Sequence, residues 1–147
     1  MIKEELIFLN KKFETKGQVF EFLAETCEEF NISDSKKAVF DELNNRENQG
    51  TTGMMDGFAI PHAKSENINN VSVIVIKNDH GISWESMDGE DIDFIIGMFI
   101  PENEKGSGHL NLLSQIAKML MKSDAKEKLK KSDSVDKIKE VLLNNIN

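Results

Sequence analysis

The sequence predicts an α/β fold in which a mixed sheet is sandwiched between helices within a single domain. Apolar residues recur at helical spacing towards both ends of the chain, and two β-branched runs of strand length lie between them. The chain has 147 residues, of which 39% are hydrophobic, and this is enough to build one substantial core. Because helices bracket the strands, both faces of the sheet should be covered. We therefore expect residues 1–147 to form one domain.

Two helices are expected before the strands. Between Lys16 and Phe30 apolar side chains recur every three or four residues, which is typical of a helix with one buried stripe. The members of this stripe are Val19, Phe20, Leu23, Cys27 and Phe30. The second helix should begin after an N-cap at Ser33 or Asp34 and run to about Arg46.

The central strands are predicted at Val71 to Ile76 and at Asp93 to Ile100, which are rich in β-branched and aromatic residues. Both runs are almost continuously apolar, so we expect them to be buried on two faces. Turn residues separate them around Asn78 to Gly81 and at Asp88-Gly89. His80 falls in the first of these turns, and we expect it to be exposed and structural.

Helical spacing returns from Gly108 onward, with Ser107 as the expected N-cap. The apolar stripe of this helix contains Leu110, Leu113, Ile116, Ala117 and Leu120. Two more helices are expected at Ser123 to Lys130 and at Ser134 to about Asn145, the second after a cap at Ser132 or Asp133.

Charge and composition exclude several classes of protein. The 18 basic and 26 acidic residues give a net charge of -8, which disfavours nucleic acid and anionic membranes and favours a partner with a basic patch. The lone Cys27 cannot form an internal disulfide, and we expect it in the core. The N-terminus lacks a signal-peptide pattern, and the longest apolar run, Phe94 to Ile100, is too short to span a bilayer. We therefore expect a cytoplasmic protein.

Two of the three histidines stand where backbone geometry matters. His62 follows Pro61, and proline biases the residue before it towards extended conformations, so Ile60 should end a short extended segment with His62 where it stops. His109 falls in the first turn of the predicted helix after Ser107, where the helix dipole disfavours an imidazolium. From its position alone, His109 is at least as consistent with a capping or packing role.

Several chemistries can be weighed for His62. No His or Cys pair has a short chelating spacing, so a zinc site is not expected. The string Gly106-Ser107-Gly108 opens a helix rather than a strand-to-helix elbow, which disfavours a serine hydrolase. A glycine-rich nucleotide loop is also missing from the sequence. The remaining chemistry is that of a histidine that carries a phosphoryl group covalently, and we expect neither a metal nor a cofactor.

A phosphoryl carrier needs an unprotonated ring nitrogen and hydrogen-bond donors around the three phosphoryl oxygens. The loop Gly50 to Gly57 is expected to supply backbone N–H groups, and Thr51 and Thr52 to supply hydroxyls. Arg46, just upstream, offers a planar guanidinium that suits phosphate.

The same residues carry a family resemblance. The run Arg46-Glu47, then Thr51-Thr52-Gly53, then Gly57-Phe58-Ala59-Ile60-Pro61-His62-Ala63 resembles the active-site signature of fructose/mannitol-type EIIA domains of the bacterial phosphoenolpyruvate:sugar phosphotransferase system. The later Gly108-His109-Leu110-Asn111-Leu112-Leu113 resembles the second histidine motif of that family. The likeness extends over nearly the whole chain.

The resemblance implies a mixed five-stranded sheet flanked by helices and a phosphotransferase activity. His62 would be phosphorylated by the phosphohistidine of HPr and would pass the group to a cysteine of an EIIB domain, which serves a membrane EIIC permease. His109 would support the phosphorylated state, and Arg46 would help to hold the phosphate. Glu47 matches the acidic residue after that arginine, with no expected role beyond local ion pairing.

Two other readings stay open. An EIIA-like domain of the nitrogen-related branch would instead use its phosphorylation state to control other proteins, and either branch can carry this histidine loop. The histidines could also be purely structural. The sugar is not encoded here, because the permease selects it. The EIIB partner is expected to contact apolar residues near the loop, namely Phe58 and Met54 or Met55.

Overall fold

The computed structural model describes residues 1–103 and 107–146, with side chains outside 107–111. In chain order the strands are β1 (Ile7–Lys11), β2 (Phe58–Ala59), β3 (His62–Ser65), β4 (Ser72–Ile82) and β5 (Ile92–Pro101). The helices of the described residues are α1 (Lys16–Glu29), α2 (Lys36–Asn48), α3 (Ser107–Met119), α4 (Ser123–Lys131) and α5 (Val135–Asn145). A 3-10 turn, Glu4–Leu6, precedes β1.

The strands form one mixed, five-stranded sheet, which confirms the predicted fold class. Its order is β1-β4-β5-β2, and β3 also pairs with β5. Strands β4 and β5 are antiparallel, whereas the pairs β1–β4, β2–β5 and β3–β5 are parallel. Phe58 is in register with Phe94 and His62 with Met98, so β2 and β3 form one edge in a single register, interrupted at Ile60 and Pro61.

Helices cover both faces of the sheet. Helices α1 and α2 bury Phe20, Leu23 and Leu43 against one face, in a core that includes Ile74 and Phe99. Helices α3, α4 and α5 bury a second apolar set against the other face, and it includes Ile116, Leu129, Ile138, Leu142, Phe94 and Met98. Complete burial of a side chain of this size contributes about 1.5 to 3 kcal/mol. Cys27 lies in the first core, as predicted.

The helices lie where they were predicted, but three N-caps were wrong. Ser107, the expected cap of α3, is the first residue of that helix. The caps of α2 and α5 were wrong for one shared reason. The caps are Ser35 for α2 and Ser134 for α5, whose hydroxyls accept from Ala38 N and Lys137 N. Both lie in a Ser-Asp-Ser sequence. In each case the hydroxyl of the first serine accepts the N–H of the second, which leaves the second serine free to cap the helix.

Two strand features differ from the prediction. Strand β4 continues to Ile82, so His80 is exposed but lies within a strand rather than in a turn. The pairing of β4 with β5 is irregular between Lys77 and Ile82, so the sequence there lacks the alternation of side chains that marks a regular strand. Strand β1 was missed because it is a short edge strand with only one fully buried side chain.

Within the residues that the structure describes, none of the helices is long and apolar enough to span a bilayer.

Candidate functional site

His62 lies at the interrupted edge of the sheet. Ile60 N donates to Thr52 O at 3.0 Å, and Met98 N donates to Pro61 O at 3.0 Å. Pro61 has no N–H to offer and therefore fits an interruption at an edge. The expectation that His62 lies where an extended segment stops was wrong, because the chain re-enters the same register and His62 opens β3.

The two ring nitrogens of His62 have different partners. Nδ1 lies 3.0 Å from Ile60 O, and Arg46 Nε lies 3.2 Å from Nε2. A guanidinium can only donate hydrogen bonds, so Nε2 must be the unprotonated nitrogen, and Nδ1 carries the proton that Ile60 O accepts. The structure thus brings Arg46 and His62 together and directs the lone pair of Nε2 at the guanidinium.

The surroundings of His62 favour its neutral form. Burial lowers its pKa, and the nearby charge of Arg46 lowers it further. The hydrogen bond to Ile60 O and the negative charge of Glu47 act in the opposite direction, but the net effect is a pKa below the usual value near 6.5. At neutral pH the ring is therefore uncharged and its Nε2 can act as a nucleophile.

A pocket of about 330 Å³ opens beside the Arg46–His62 pair. Three of its residues, Glu42, Asn45 and Arg46, belong to α2, and Gln49 is the C-cap of that helix. The others are His62, Ala63 and Lys64 of β3, Ile100 of β5 and Leu113 of α3. Glu42, Asn45 and Gln49 were not predicted from the sequence, although the spacings of three or four from 42 to 45 and 46, and from 45 and 46 to 49, place all four on one helix face.

The two members of the pair approach from opposite sides of the sheet. His62 is in register with Met98, whose side chain belongs to the core under α3, α4 and α5, so His62 lies on that side. Arg46 belongs to α2, which covers the other face. The pair therefore meets at the open edge of the sheet, between α2 and α3.

His109, the second predicted histidine, lies in the first turn of α3. Its side chain falls outside the described residues, so its predicted role stays a prediction. Leu113, one turn further along α3, lines the pocket.

The loop between α2 and β2 does not present the expected donors. The N–H groups of residues 50, 52, 53, 54 and 56 all donate to acceptors within the protein. The hydroxyls of Thr51 and Thr52 lie 2.9 Å and 2.6 Å from Glu47 oxygens, and Thr51 Oγ1 also lies against Glu85 O. The expectation was therefore wrong for these five N–H groups and for the two hydroxyls, because they are already bonded within the protein.

Glu47 is a buried carboxylate with only 8% of its surface exposed. It accepts hydrogen bonds from Thr51, Thr52 and Trp84 Nε1, the last at 3.1 Å, and it lies 3.6 Å from Lys16 Nζ. Burial alone would raise its pKa, but the hydrogen bonds from the two threonines and the charge of Lys16 outweigh burial and lower it. The expected ion pair is present, and the hydrogen-bond network around it was not predicted.

The prediction of the surface that contacts the partner was partly wrong. Phe58 is 0% exposed, because it packs against Phe94 in the core at a centroid distance of 5.0 Å. Met54 is half-buried, and Met55 is 48% exposed. Of the three side chains, Met55 is thus the one that is well exposed to a partner.

Among the side chains that the structure describes, no three His, Cys, Asp or Glu residues come close enough together to hold a metal ion.

Comparisons with known proteins give the class of the chain. The family model described as "Phosphoenolpyruvate-dependent sugar phosphotransferase system, EIIA 2" matches residues 1–145. The chain therefore belongs to the EIIA type 2 family, whose members are phosphoryl-transfer components. This confirms the resemblance inferred from the sequence.

The relatives come from two branches of the family. A "PTS system fructose-specific EIIA component" of Haloferax volcanii is 32% identical over 94% of this chain and 89% of that protein. A "Nitrogen regulatory protein" of Bradyrhizobium diazoefficiens is 33% identical over 97% of this chain and 92% of that protein.

Solved structures confirm the fold. The nitrogen regulatory protein IIA-Ntr from Neisseria meningitidis superposes with a TM-score of 0.89 at 27% identity, over 95% of this chain and 94% of that one. The mannitol enzyme IIA of Escherichia coli, solved in complex with phosphorylated enzyme IIB, has a TM-score of 0.82 at 20% identity, over 98% of each chain.

Proposed function

We propose that this protein is a phosphocarrier that accepts a phosphoryl group from phosphorylated HPr on Nε2 of His62. The observation that carries the proposal is the unprotonated Nε2, fixed by the Ile60 carbonyl on Nδ1 and directed towards the pocket by Arg46. A lone pair on a neutral imidazole is the nucleophile that phosphoryl transfer to histidine requires.

The transfer balances without a cofactor. As the new N–P bond forms at Nε2 of His62, the N–P bond of the donor phosphohistidine breaks, and its electron pair returns to the donor ring. The proton on Nδ1 of His62 stays in its hydrogen bond to Ile60 O. The reaction depends mainly on positioning and on stabilisation of the negative charge of the phosphoryl group.

Arg46 would supply that stabilisation. Its Nε now lies against Nε2, so the guanidinium has to give up this contact and turn to the incoming phosphoryl oxygens. The phosphohistidine adds about two negative charges, and a planar guanidinium offers paired donors to such a group. Because Arg46 Nη1 is bonded to Gly50 O at 2.7 Å, the side chain stays at the pocket during this exchange.

His109 would support the phosphorylated state from α3. Residues four apart lie on one face of a helix, so position 109 shares a face with Leu113, which lines the pocket. We expect His109→Ala to fold normally, to accept phosphate, and to pass it on more slowly. A variant that transfers onward at the wild-type rate would assign His109 to capping.

The acceptor would be the cysteine of an EIIB domain, which in turn serves an EIIC permease in sugar uptake. The family membership supports this, as does the mannitol enzyme IIA that was solved with phosphorylated enzyme IIB.

The direct test is phosphorylation by phosphoenolpyruvate, enzyme I and HPr. We expect the wild type to take up one acid-labile phosphoryl group and His62→Ala to take up none. His80→Ala is the matched control, because His80 is exposed on β4, outside the pocket, and should be phosphorylated like the wild type. Equal labelling of His62→Ala and wild type would refute the proposal.

A regulatory role in nitrogen metabolism is the second candidate. It is favoured by the Bradyrhizobium diazoefficiens relative, which is as similar as the fructose-specific one, and by the Neisseria meningitidis structure. Both candidates share the chemistry at His62 and differ in the partner that follows. Neighbouring genes for EIIB and EIIC, together with phosphoryl transfer onto that EIIB domain, would favour uptake. A phosphorylated protein that fails to phosphorylate such a domain would favour regulation.

A further inference from the structure

Glu47 stands next to Arg46 in α2, but its carboxylate is bonded to the adjoining loop rather than to the pocket residues. We propose that Glu47 is a positioning residue for phosphoryl transfer, whose carboxylate fixes the loop of residues 50–53 so that Gly50 holds Arg46 against His62. This inference rests on the proposed function and adds a residue to which that function assigns no part.

Several hydrogen bonds join the Glu47 carboxylate to the loop. Its oxygens accept from Thr51 Oγ1 at 2.9 Å, from Thr52 Oγ1 at 2.6 Å and from Thr52 N at 3.2 Å. Trp84 Nε1 and Lys16 hold the carboxylate from the other side, at 3.1 Å and 3.6 Å. The carboxylate is therefore fixed in place, and it fixes two successive loop residues.

The loop in turn contacts Arg46. Gly50 directly precedes the two threonines, and its carbonyl accepts from Arg46 Nη1 at 2.7 Å. The same guanidinium donates through Nε to His62 Nε2 at 3.2 Å. The direction of the Arg46 side chain is thus set by a carbonyl whose position depends on the Glu47–Thr51–Thr52 bonds.

The loop packs closely on the backbone of Glu85 and Ser86. A Cβ at Gly53 would collide with the backbone oxygen of Glu85, so the loop lies directly against that backbone. His62 itself is held by the pairing of β3 with β5. Arg46 is therefore the member of the pair whose position depends on Glu47.

The choice of a carboxylate also fits positioning better than core packing. A buried carboxylate costs desolvation free energy, and an apolar side chain of similar size would fill the same space without that cost. Hydrogen bonds from several directions, in contrast, hold the loop atoms in precise positions. Precision matters for the rate, because a misplacement of about 1 Å can slow a reaction by about 100-fold.

A double-mutant cycle on phosphoryl uptake tests this role. Uptake from phosphorylated HPr is measured for the wild type, Glu47→Gln, Arg46→Ala and the double variant. If Glu47 acts through Arg46, Glu47→Gln slows uptake by about 10-fold, and in the Arg46→Ala background it slows uptake by less than about 2-fold. Two effects that multiply, or wild-type uptake by folded Glu47→Gln, would overturn the proposal.

A matched control separates positioning from loss of stability. Asn78 is another buried polar residue, and it lies on β4, outside the loop. Its side-chain amide is hydrogen-bonded to the backbone of Phe13 and of His80. Asn78→Ala should unfold at a lower temperature yet take up phosphate at the wild-type rate. If Asn78→Ala slows uptake as much as Glu47→Gln does, the effect is one of stability and the proposal fails.

If Glu47→Gln does not fold, Thr51→Val replaces it in the cycle, because it keeps the carboxylate and removes its bond to Thr51 together with the Thr51 contacts to Glu85 O and Gly53 N. We expect a smaller slowing that again disappears in the Arg46→Ala background. Wild-type uptake by Thr51→Val would then overturn the positioning role. The two possible failures are distinguishable. A wild type that takes up no phosphate refutes the proposed function and this inference together. An active wild type in which the two substitutions slow uptake independently refutes this inference alone.

Discussion

Arg46 and Glu47 are adjacent in α2, and their side chains serve two regions of opposite character. Arg46 is half-buried beside an open pocket, where it contacts the His62 ring, a contact that the proposed transfer would break. Glu47 is buried in a network in which both oxygens are hydrogen-bonded. In this protein the two regions are adjacent, with the hydrogen-bonded network directly behind the pair at the sheet edge.

The largest expected effect is a loss of stability when the buried network around Glu47 is disrupted. Glu47→Ala leaves the donors of Thr51, Thr52 and Trp84 without their acceptor, so it should lower the free energy of unfolding by about 3 kcal/mol. Denaturant unfolding followed by circular dichroism measures this loss. A loss below about 1 kcal/mol would mean that the network contributes little to the fold.

The next effect concerns rate rather than stability. Arg46→Ala should slow phosphoryl uptake by about 30-fold, or about 2 kcal/mol, because the guanidinium no longer stabilises the phosphoryl charge. Its unfolding free energy should change by less than about 1 kcal/mol, since the side chain is half-buried at a pocket. If Arg46→Ala takes up the phosphoryl group as fast as the wild type, and its phosphorylated form lasts as long, Arg46 is not part of the site.

The protonation of His62 gives a third, smaller test. Burial and Arg46 lower its pKa, so the ring should stay neutral as the pH falls through 6.5 and should gain its proton only below that value. An NMR titration of the ring protons should therefore have its midpoint below 6.5. Arg46→Ala should move the midpoint upward, and a midpoint at or above 6.5 in the wild type would contradict the described environment.

The smallest effect is expected at the rim of the buried network. Lys16 lies 3.6 Å from Glu47 but is about one-third exposed, so Lys16→Ala should cost less than about 1 kcal/mol of unfolding free energy. Thermal unfolding measures the change, with Lys37→Ala as the control for an exposed ion pair on α2. A Lys16 effect as large as that of Glu47→Ala would show that the ion pair, rather than the hydrogen bonds, holds the network.

Sequence reasoning predicted those features that depend on local periodicity. The helices and the two central strands were found because their apolar residues repeat every three to four positions or fill a strand-length run. Strand β1 and the end of β4 were missed, since an edge strand and an irregular ladder carry no such period. The caps were misplaced by one or two residues because each Ser-Asp-Ser sequence offers three capping side chains, and only the three-dimensional hydrogen bonds choose among them.

At the site, the residue types were predictable and their partners were not. Arg46 and His62 were named from the sequence, and the structure places them in contact. Thr51 and Thr52 were expected to face a phosphoryl group, but they face Glu47, because the loop folds back on the end of α2. A sequence shows that a loop is polar, whereas the direction of its hydroxyls depends on contacts such as Trp84 with Glu47, which are distant in sequence.

The most direct measurement is to locate the phosphoryl group on the His62 ring. The protein is labelled with ¹⁵N in histidine, phosphorylated through HPr, and examined by two-bond ¹H–¹⁵N correlation spectra of the imidazole. We predict phosphorus on Nε2 and a retained proton on Nδ1, which donates to Ile60 O. Phosphorus on Nδ1, or on another residue, would contradict the account.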